Sequence, residues 1–261
     1  MGILNCTPDS FSDGGELPQV EDVLRRADAM LEAGAGLLDL GAVSTRPGAL
    51  EVSEDTERQR LMPALEALVQ RGLGPISVDT YRSAIAGDAL DRGALMINDV
   101  RAAREPGMEA LLAERKPWVC LMHMRGAPKT MQTQPIVYGD SVAHVGSWLA
   151  ERVQVLVAQG LPQEHVVVDP GIGFGKEDAH NLALTLGLRR IAQDSGCPVL
   201  YGASRKSLIG RIAGVAEPQA RLPGSLSLVG AACRAGARVV RVHDVAATKQ
   251  FLALEQALAQ A

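Results

Sequence analysis

Polar residues of chemical use stand at the ends of short apolar runs. GILN (2–5) ends on Asn5, GLLDLG (36–41) carries Asp39, and PISVDT (75–80) carries Asp79. ALMIND (94–99) ends on Asn98 and Asp99, WVCLMH (118–123) on His123, and VVVDP (166–170) carries Asp169. VLYGAS (199–204) runs into Ser204, Arg205, Lys206 and Ser207, and VVRVHD (239–244) carries Arg241 and His243. Asp79, Asn98 and Asp169 supply the mixed acceptors and amide that hold the edge of a flat nitrogen heterocycle, because a carboxylate accepts paired N–H bonds from a 2-aminopyrimidinone. That is a recognition pattern rather than an acid–base pair. A buried carboxylate trio is costly without cations, and Lys206 and Arg241 are the candidates to offset it.

Arg46, Arg241 and His243 suit phosphate, arginine being favoured for its bidentate fork. Asn5 offers a neutral oxygen of the kind Mg²⁺ accepts when substrate phosphates and waters complete its octahedron. Each residue also has a plainer reading. Asp39 and Asp99 read equally as polar strand ends that cap the next helix. His123 reads first as a satisfied core histidine, and Met122 as a residue packed beneath a ring. DPGIGFGK (169–176) lacks the GxxxxGK[ST] spacing of a phosphate loop, so its glycines read as a βα loop that needs positive φ, with Phe174 as its packing residue. A serine nucleophile elbow, a cysteine beside a histidine and an HExxH pair are all missing from the sequence, which argues against covalent catalysis.

Something must bring these residues to one place. Strands buried on both faces read as continuous apolar stretches, and there are eight of them. Between them lie segments of helical periodicity such as VEDVLRRADAMLEAG (20–34) and SVAHVGSWLAERVQVLVAQG (141–160), the latter ending on a C-cap glycine. Eight βα repeats predict a closed (β/α)8 TIM barrel, one domain over residues 1–261, rather than a doubly wound open sheet. No GxGxxG follows the first strand, as a dinucleotide fold would require. In such a barrel the strand ends converge on one mouth, where sites are built.

Bulk properties narrow the partners. The chain has 261 residues, 47% hydrophobic, and carries 30 acidic against 26 basic side chains for a net charge of −4. The basic residues are dispersed, so nucleic acid and anionic membranes are not expected partners. Cys6, Cys120, Cys197 and Cys233 are far apart and read as free thiols of a reducing compartment. The start lacks a secretory leader and no run reaches the roughly 20 apolar residues of a membrane span, so a soluble, cytoplasmic protein is expected.

The segments MGILNCTPDSFSDGG (1–15), STRPGA (44–49), SVDT (77–80), INDV (97–100), MHMRGAPKTMQ (122–132), DPGIGFGK (169–176), SRKS (204–207) and RVHDV (241–245) resemble, in order and spacing, those of the dihydropteroate synthase family. The resemblance spans essentially the whole chain. It implies a transferase that condenses 6-hydroxymethyl-7,8-dihydropterin pyrophosphate with p-aminobenzoate to give 7,8-dihydropteroate and pyrophosphate in folate biosynthesis. By the same resemblance Asn5 corresponds to the Mg²⁺ ligand, and Arg241, Val242 and His243 to pyrophosphate-binding positions. Asp79, Asn98, Asp169 and Lys206 correspond to pterin-binding positions. Thr45, Arg46 and Pro47 fall on a mobile second loop that serves both substrates, and residues 7–15 on a first loop that closes over the leaving group. Phe174, Lys206 and Ser207 correspond to residues flanking p-aminobenzoate and its sulfonamide mimics. The residues expected to carry catalysis are Lys206, Asp79, Asp169 and Arg46. A homodimer is implied, and the small apolar segment GSLSLVGAACRAGA (224–237) would form its interface or simply pack on the barrel.

The sequence departs from the family in two places. Val43 stands where an acidic residue usually precedes STRPG, and the usual segment before the first strand is not in the sequence, so a trimmed start or a more exposed barrel end is expected. The family's reaction implies attack by the aromatic amine on the pterin's exocyclic methylene carbon through loose ionisation, with pyrophosphate leaving. Two competing readings are a pterin-dependent methyltransferase domain and a pterin-binding protein without turnover.

Overall fold

A computed structural model describes residues 1–6, 16–43, 52–126 and 138–260. Each of the eight apolar runs forms a strand: β1 (Gly2–Asn5), β2 (Leu38–Gly41), β3 (Ile76–Asp79), β4 (Met96–Asp99), β5 (Trp118–Met122), β6 (Val166–Asp169), β7 (Leu200–Tyr201) and β8 (Val239–Val240). The helices between them are α1 (Glu16–Glu32), α2 (Glu54–Gln70), α3 (Ser83–Asp91), α4 (Met108–Arg115), α5 (Ser141–Ala158), α6 (Asp178–Leu186), α7 (Leu188–Ser195), α8 (Ser207–Ala213), α9 (Leu222–Arg234) and α10 (Val245–Gln260).

All pairings are parallel. β1 to β6 form one sheet in sequence order, and β7 pairs with β8. Bridges between Val168 and Val199 and between Gly2 and Val242 join the two sheets at both seams, so the ring closes into the expected barrel and no edge is left open. Closure is reinforced where Val242 donates its N–H to the Met1 carbonyl and Ile3 donates to the Val242 carbonyl.

Strand alternation sorts side chains between the lumen and the helices. Leu4, Leu38, Leu40, Val78, Ile97, Val119, Leu121, Val166 and Val168 face outward and are buried with apolar residues of the helices in the main core. Met96, Cys120, Val167 and Leu200 form a separate apolar cluster, joined by Leu37 and Val239, that fills the barrel toward its lower end. Helix starts follow local chemistry: Ser53 Oγ accepts from the Thr56 N–H at the head of α2, and Asp140 accepts from the Val142 and Ala143 N–H groups at the head of α5. α5 ends where expected, with Gly160 at φ 101°.

The last two strands are shorter than the runs 199–204 and 239–244. Beyond Tyr201 the chain leaves the ladder through Gly202 and a turn in which Arg205 has φ 58°. On the other strand the Arg241 N–H still reaches the Tyr201 carbonyl at 2.9 Å. Two-sided pairing ends early because the chain turns there to deliver the SRKS segment to the mouth.

Candidate active site

Four strand ends meet in one buried polar network. Asp39 on β2 is fully buried. Its Oδ1 accepts from Ser77 Oγ at 2.7 Å, and its Oδ2 accepts from Asn98 Nδ2 at 3.1 Å and from Arg241 Nε. Arg241 also donates from Nη2 to Asp79 Oδ2 at 2.9 Å. Register explains the meeting: Asp39 lies beside Ser77, and Asp79 lies beside Gly41 on one side and Asn98 on the other. Burial pushes the Asp79 carboxyl above its ordinary range while the Arg241 guanidinium pulls it back. Burial opposes the charge on Arg241 as well, but the Asp39 and Asp79 carboxylates outweigh it and hold the guanidinium protonated.

Asp169 at the end of β6 comes to the same mouth. A Cβ on Gly202 would stand 3.7 Å from Asp169 Oδ2 and 3.8 Å from Arg241 Cβ, so the glycine keeps the space between them open. Asp169 Oδ1 accepts the Gly171 N–H at 2.7 Å. Burial raises its pKa, opposed by that hydrogen bond and by the nearby Lys206, Arg241 and Lys176 charges.

The DPGIGFGK loop follows. Gly171, Gly173 and Gly175 all have positive φ, the conformation read from the sequence. At Gly171 a Cβ would lie 2.0 Å from the His123 carbonyl oxygen, so no side chain fits there. Lys176 is buried beneath the loop and donates from Nζ to the carbonyls of His123, Gly171 and Phe174 at 3.1, 2.9 and 3.0 Å. Burial lowers its pKa to about 7, yet three acceptors match the three N–H groups of the ammonium form. The loop holds Phe174 in an apolar shelf with Tyr81, Val100, Met122 and Met124, and Lys206 Nζ stands 4.0 Å from the Phe174 ring centroid. Met122 thus packs in this shelf, as expected. Tyr81 and Val100 lie two residues beyond Asp79 and Asn98, so this shelf borders the carboxylates and the amide at the mouth.

The remaining candidates are placed as follows. Asn5 Oδ1 lies 3.8 Å from where a Gly41 Cβ would stand, with Asp79 Cβ on the same spot at 3.4 Å, so its amide is at the mouth beside Asp79. His243 Nδ1 is 3.0 Å from Ser204 Oγ. Ser207 is exposed and begins α8. Val242 packs its side chain outward with Val229 and Val245, and its N–H and C=O are both used in the barrel seam. Its backbone helps close the ring. Asp99 points away from the polar network and accepts the Arg101 and Ala103 N–H groups at 2.7 and 2.8 Å, so it closes the turn after β4 rather than capping α4, which begins at Met108. His123 is buried among Tyr138, His144 and Trp148, with Nδ1 unpartnered among the described residues. Its ring is a core group. Thr45, Arg46, Pro47 and the first loop at 7–15 lie outside the described residues.

Sequence reading passed over Ser77 and Lys176 as parts of the site and left Asp39 open between a site residue and a helix cap. Asp39 carried a signal, an acid in the middle of the apolar run LLDLG, that a capping role does not explain. Ser77 carries none, since one small hydroxyl in a strand is ordinary. Lys176 ends a glycine-rich loop, where a lysine reads as a surface residue until the carbonyls around it are seen.

Comparison with known proteins agrees with this geometry. Residues 1–243 match the family described as pterin binding enzyme. The chain is 44% identical over 259 residues to the dihydropteroate synthase of Escherichia coli K12, covering 98% of this chain and 90% of that one. Among solved structures it superposes with a TM-score of 0.92 and 42% identity on the Yersinia pestis dihydropteroate synthase in a sulfonamide drug complex, covering 100% of this chain and 94% of that one. The Xanthomonas albilineans dihydropteroate synthase solved with 4-aminobenzoic acid matches equally, with a TM-score of 0.92, 42% identity, and 100% and 92% coverage. With a barrel of that shape, a polar mouth set for a heterocycle and similarity along its whole length, the chain belongs to the dihydropteroate synthase family of pterin binding enzymes.

Proposed function

We propose that the mouth binds dihydropterin pyrophosphate with the ring edge on Asp79, Asn98 and Asp169 and the ring face against the apolar shelf. The reaction is the family's: a transferase step of folate biosynthesis that condenses the pterin with p-aminobenzoate to give 7,8-dihydropteroate. The observation that carries the assignment of residues is the convergence of Asp79, Asn98 and Arg241 in one network, with Asp169 beside Arg241 at the same mouth. In this reading the amine nitrogen forms a bond to the exocyclic methylene carbon and gives up one proton to the leaving pyrophosphate or to water, and the C–O bond to pyrophosphate breaks with its electron pair on oxygen. Asp79, partly buried, and Asp169, buried, hold the ring and disperse positive charge that develops on it. Lys206 stands over Phe174 where pterin and aromatic amine would meet, and His243 and Arg241 face the departing phosphates. Arg46, Thr45 and Pro47 are proposed to complete the p-aminobenzoate and phosphate contacts.

A divalent cation fits one position. Among the described residues no group of three or more His, Cys, Asp or Glu is arranged to hold a metal, while Asn5 offers a single neutral oxygen at the mouth. One protein oxygen suits Mg²⁺ when substrate phosphates and waters supply the rest. Bound there, the ion would neutralise charge on the leaving oxygens. Two further proposals concern the setting. A homodimer is supported by Leu254 and Leu258, which stand 64% and 73% exposed on α10 beside α9, and light scattering of the purified chain tests it. No described helix is long and apolar enough to cross a membrane, which suits a cytoplasmic enzyme.

Calorimetry with dihydropterin pyrophosphate tests the site. The wild-type chain should bind it with Mg²⁺ and more weakly after chelation, and Asn5→Ala should lose that difference. Equal affinity in all three would remove Asn5 from the metal site.

A further inference from the structure

We propose that Asp39 is a positioning residue: it fixes which atoms of Asn98 and Arg241 face the bound pterin pyrophosphate, without touching the ligand itself. The inference rests on the reading above that the ring sits on Asn98 and Asp79. A carboxylate has no hydrogen to donate, so the Asn98 group at 3.1 Å from Asp39 Oδ2 must be the Nδ2 amide. The terminal amide of asparagine can turn over, and in water neither end is preferred. Asp39 removes that freedom, and the Asn98 Oδ1 acceptor is turned toward the ligand in every molecule. The substrate edge is therefore read by an oxygen there, and a ring that offers a lone pair instead of an N–H is disfavoured.

Arg241 is set by the same carboxylate. Its Nε is spent on Asp39 and its Nη2 on Asp79. Two carboxylates on two edges of one guanidinium leave its plane a single orientation. Ser77 Oγ, donating to Asp39 Oδ1 at 2.7 Å, completes the acceptor's partners and stops the carboxylate from rotating. Asp39 is fully buried, one layer below Asp79 and Asn98 in the strand register. It is thus out of reach of substrate and acts only through its neighbours.

Two substitutions separate this role from plain structural support. Asp39→Asn can keep the acceptor on the Asn98 and Arg241 side by placing its own Nδ2 against Ser77, whose hydroxyl accepts as readily as it donates. Asp39→Leu keeps the branched shape and removes every acceptor. The readouts are calorimetric affinity for 7,8-dihydropterin pyrophosphate, KM for p-aminobenzoate and Tm. Asp39→Leu should weaken pterin binding by about tenfold or more while KM for p-aminobenzoate stays within about twofold, and Asp39→Asn should recover most of the affinity. If Asp39→Leu does not fold, Ser77→Ala serves instead, with the same selective loss of a few-fold expected. Pterin affinity unchanged in the folded variants, or both substrates affected alike in step with Tm, would overturn the proposal. Failure of the wild-type chain to bind the pterin would instead remove the reading of the site on which it rests.

Discussion

Lys206 Nζ lies 4.0 Å from the centroid of the Phe174 ring, and the two residues come from different βα loops, after β7 and β6. The ammonium is thereby held over an aromatic face at the place where two substrates would meet. Such a contact contributes about 0.5–1 kcal/mol at a partly exposed site. Phe174→Leu should raise KM for p-aminobenzoate by roughly two- to fivefold and leave pterin affinity within about twofold. Lys206→Ala should impair both substrates. Steady-state kinetics with each substrate varied in turn checks both, and intact kinetics in Lys206→Ala would reduce it to a surface lysine.

Lys176 ties the loop that carries Phe174 to the end of β5. Lys176→Met removes one donor from each of three buried carbonyls, at about 1 kcal/mol or more apiece. A loss of about 3 kcal/mol is expected, or a Tm lower by roughly 6–12 °C, together with a raised KM for p-aminobenzoate. Gly171→Ala should be at least as severe, because its Cβ would meet the His123 carbonyl. Thermal melts of the two variants decide this, and a Tm within a degree or two of wild type would show that the loop does not need the strap.

Asp169→Ala removes a buried carboxylate that accepts one backbone N–H and faces Arg241 and Lys206. If it holds the pterin edge, charge-assisted bonds of about 1.5–3 kcal/mol each are lost and affinity should fall by about 100-fold. Near-normal calorimetric binding would remove Asp169 from the pterin site.

The barrel was legible because each strand is apolar on both faces, a pattern that survives without any tertiary information. Asp79, Asn98 and Asp169 were legible because they end such runs. The network beneath them was not. Ser77 is ordinary in a strand, and Asp39 declares its role only when the register sets it beside Ser77 and below Asn98. Lys176 was hidden for a similar reason, since its partners are backbone carbonyls, which every residue has. Val242 stands between Arg241 and His243, and alternation turns its side chain to the opposite face.

Burial holds the His123 imidazole neutral, its pKa lowered from 6.5 to about 2. Above pH 6.5 the ring is neutral in both folded and unfolded chains and contributes no pH dependence. Below that, the unfolded chain binds a proton that the folded one refuses, so stability falls with pH toward about 2. Asp99, raised by burial to about 6, works in the opposite sense between that value and its unfolded pKa. Comparison with His123→Gln isolates the histidine. Wild type should lose about 1.4 kcal/mol more per pH unit than the variant between pH 6 and 4. Parallel melting curves for the two proteins across that range would show that the ring is protonated without cost.

The most direct test is the reaction itself. The purified chain is incubated with dihydropterin pyrophosphate and Mg²⁺, with and without p-aminobenzoate, while pyrophosphate release is followed and the product is weighed by mass spectrometry. Pyrophosphate release that depends on p-aminobenzoate, with 7,8-dihydropteroate as product, is the predicted result. Tight pterin binding with no dihydropteroate formed would contradict it, and would leave the barrel mouth a pterin site without turnover.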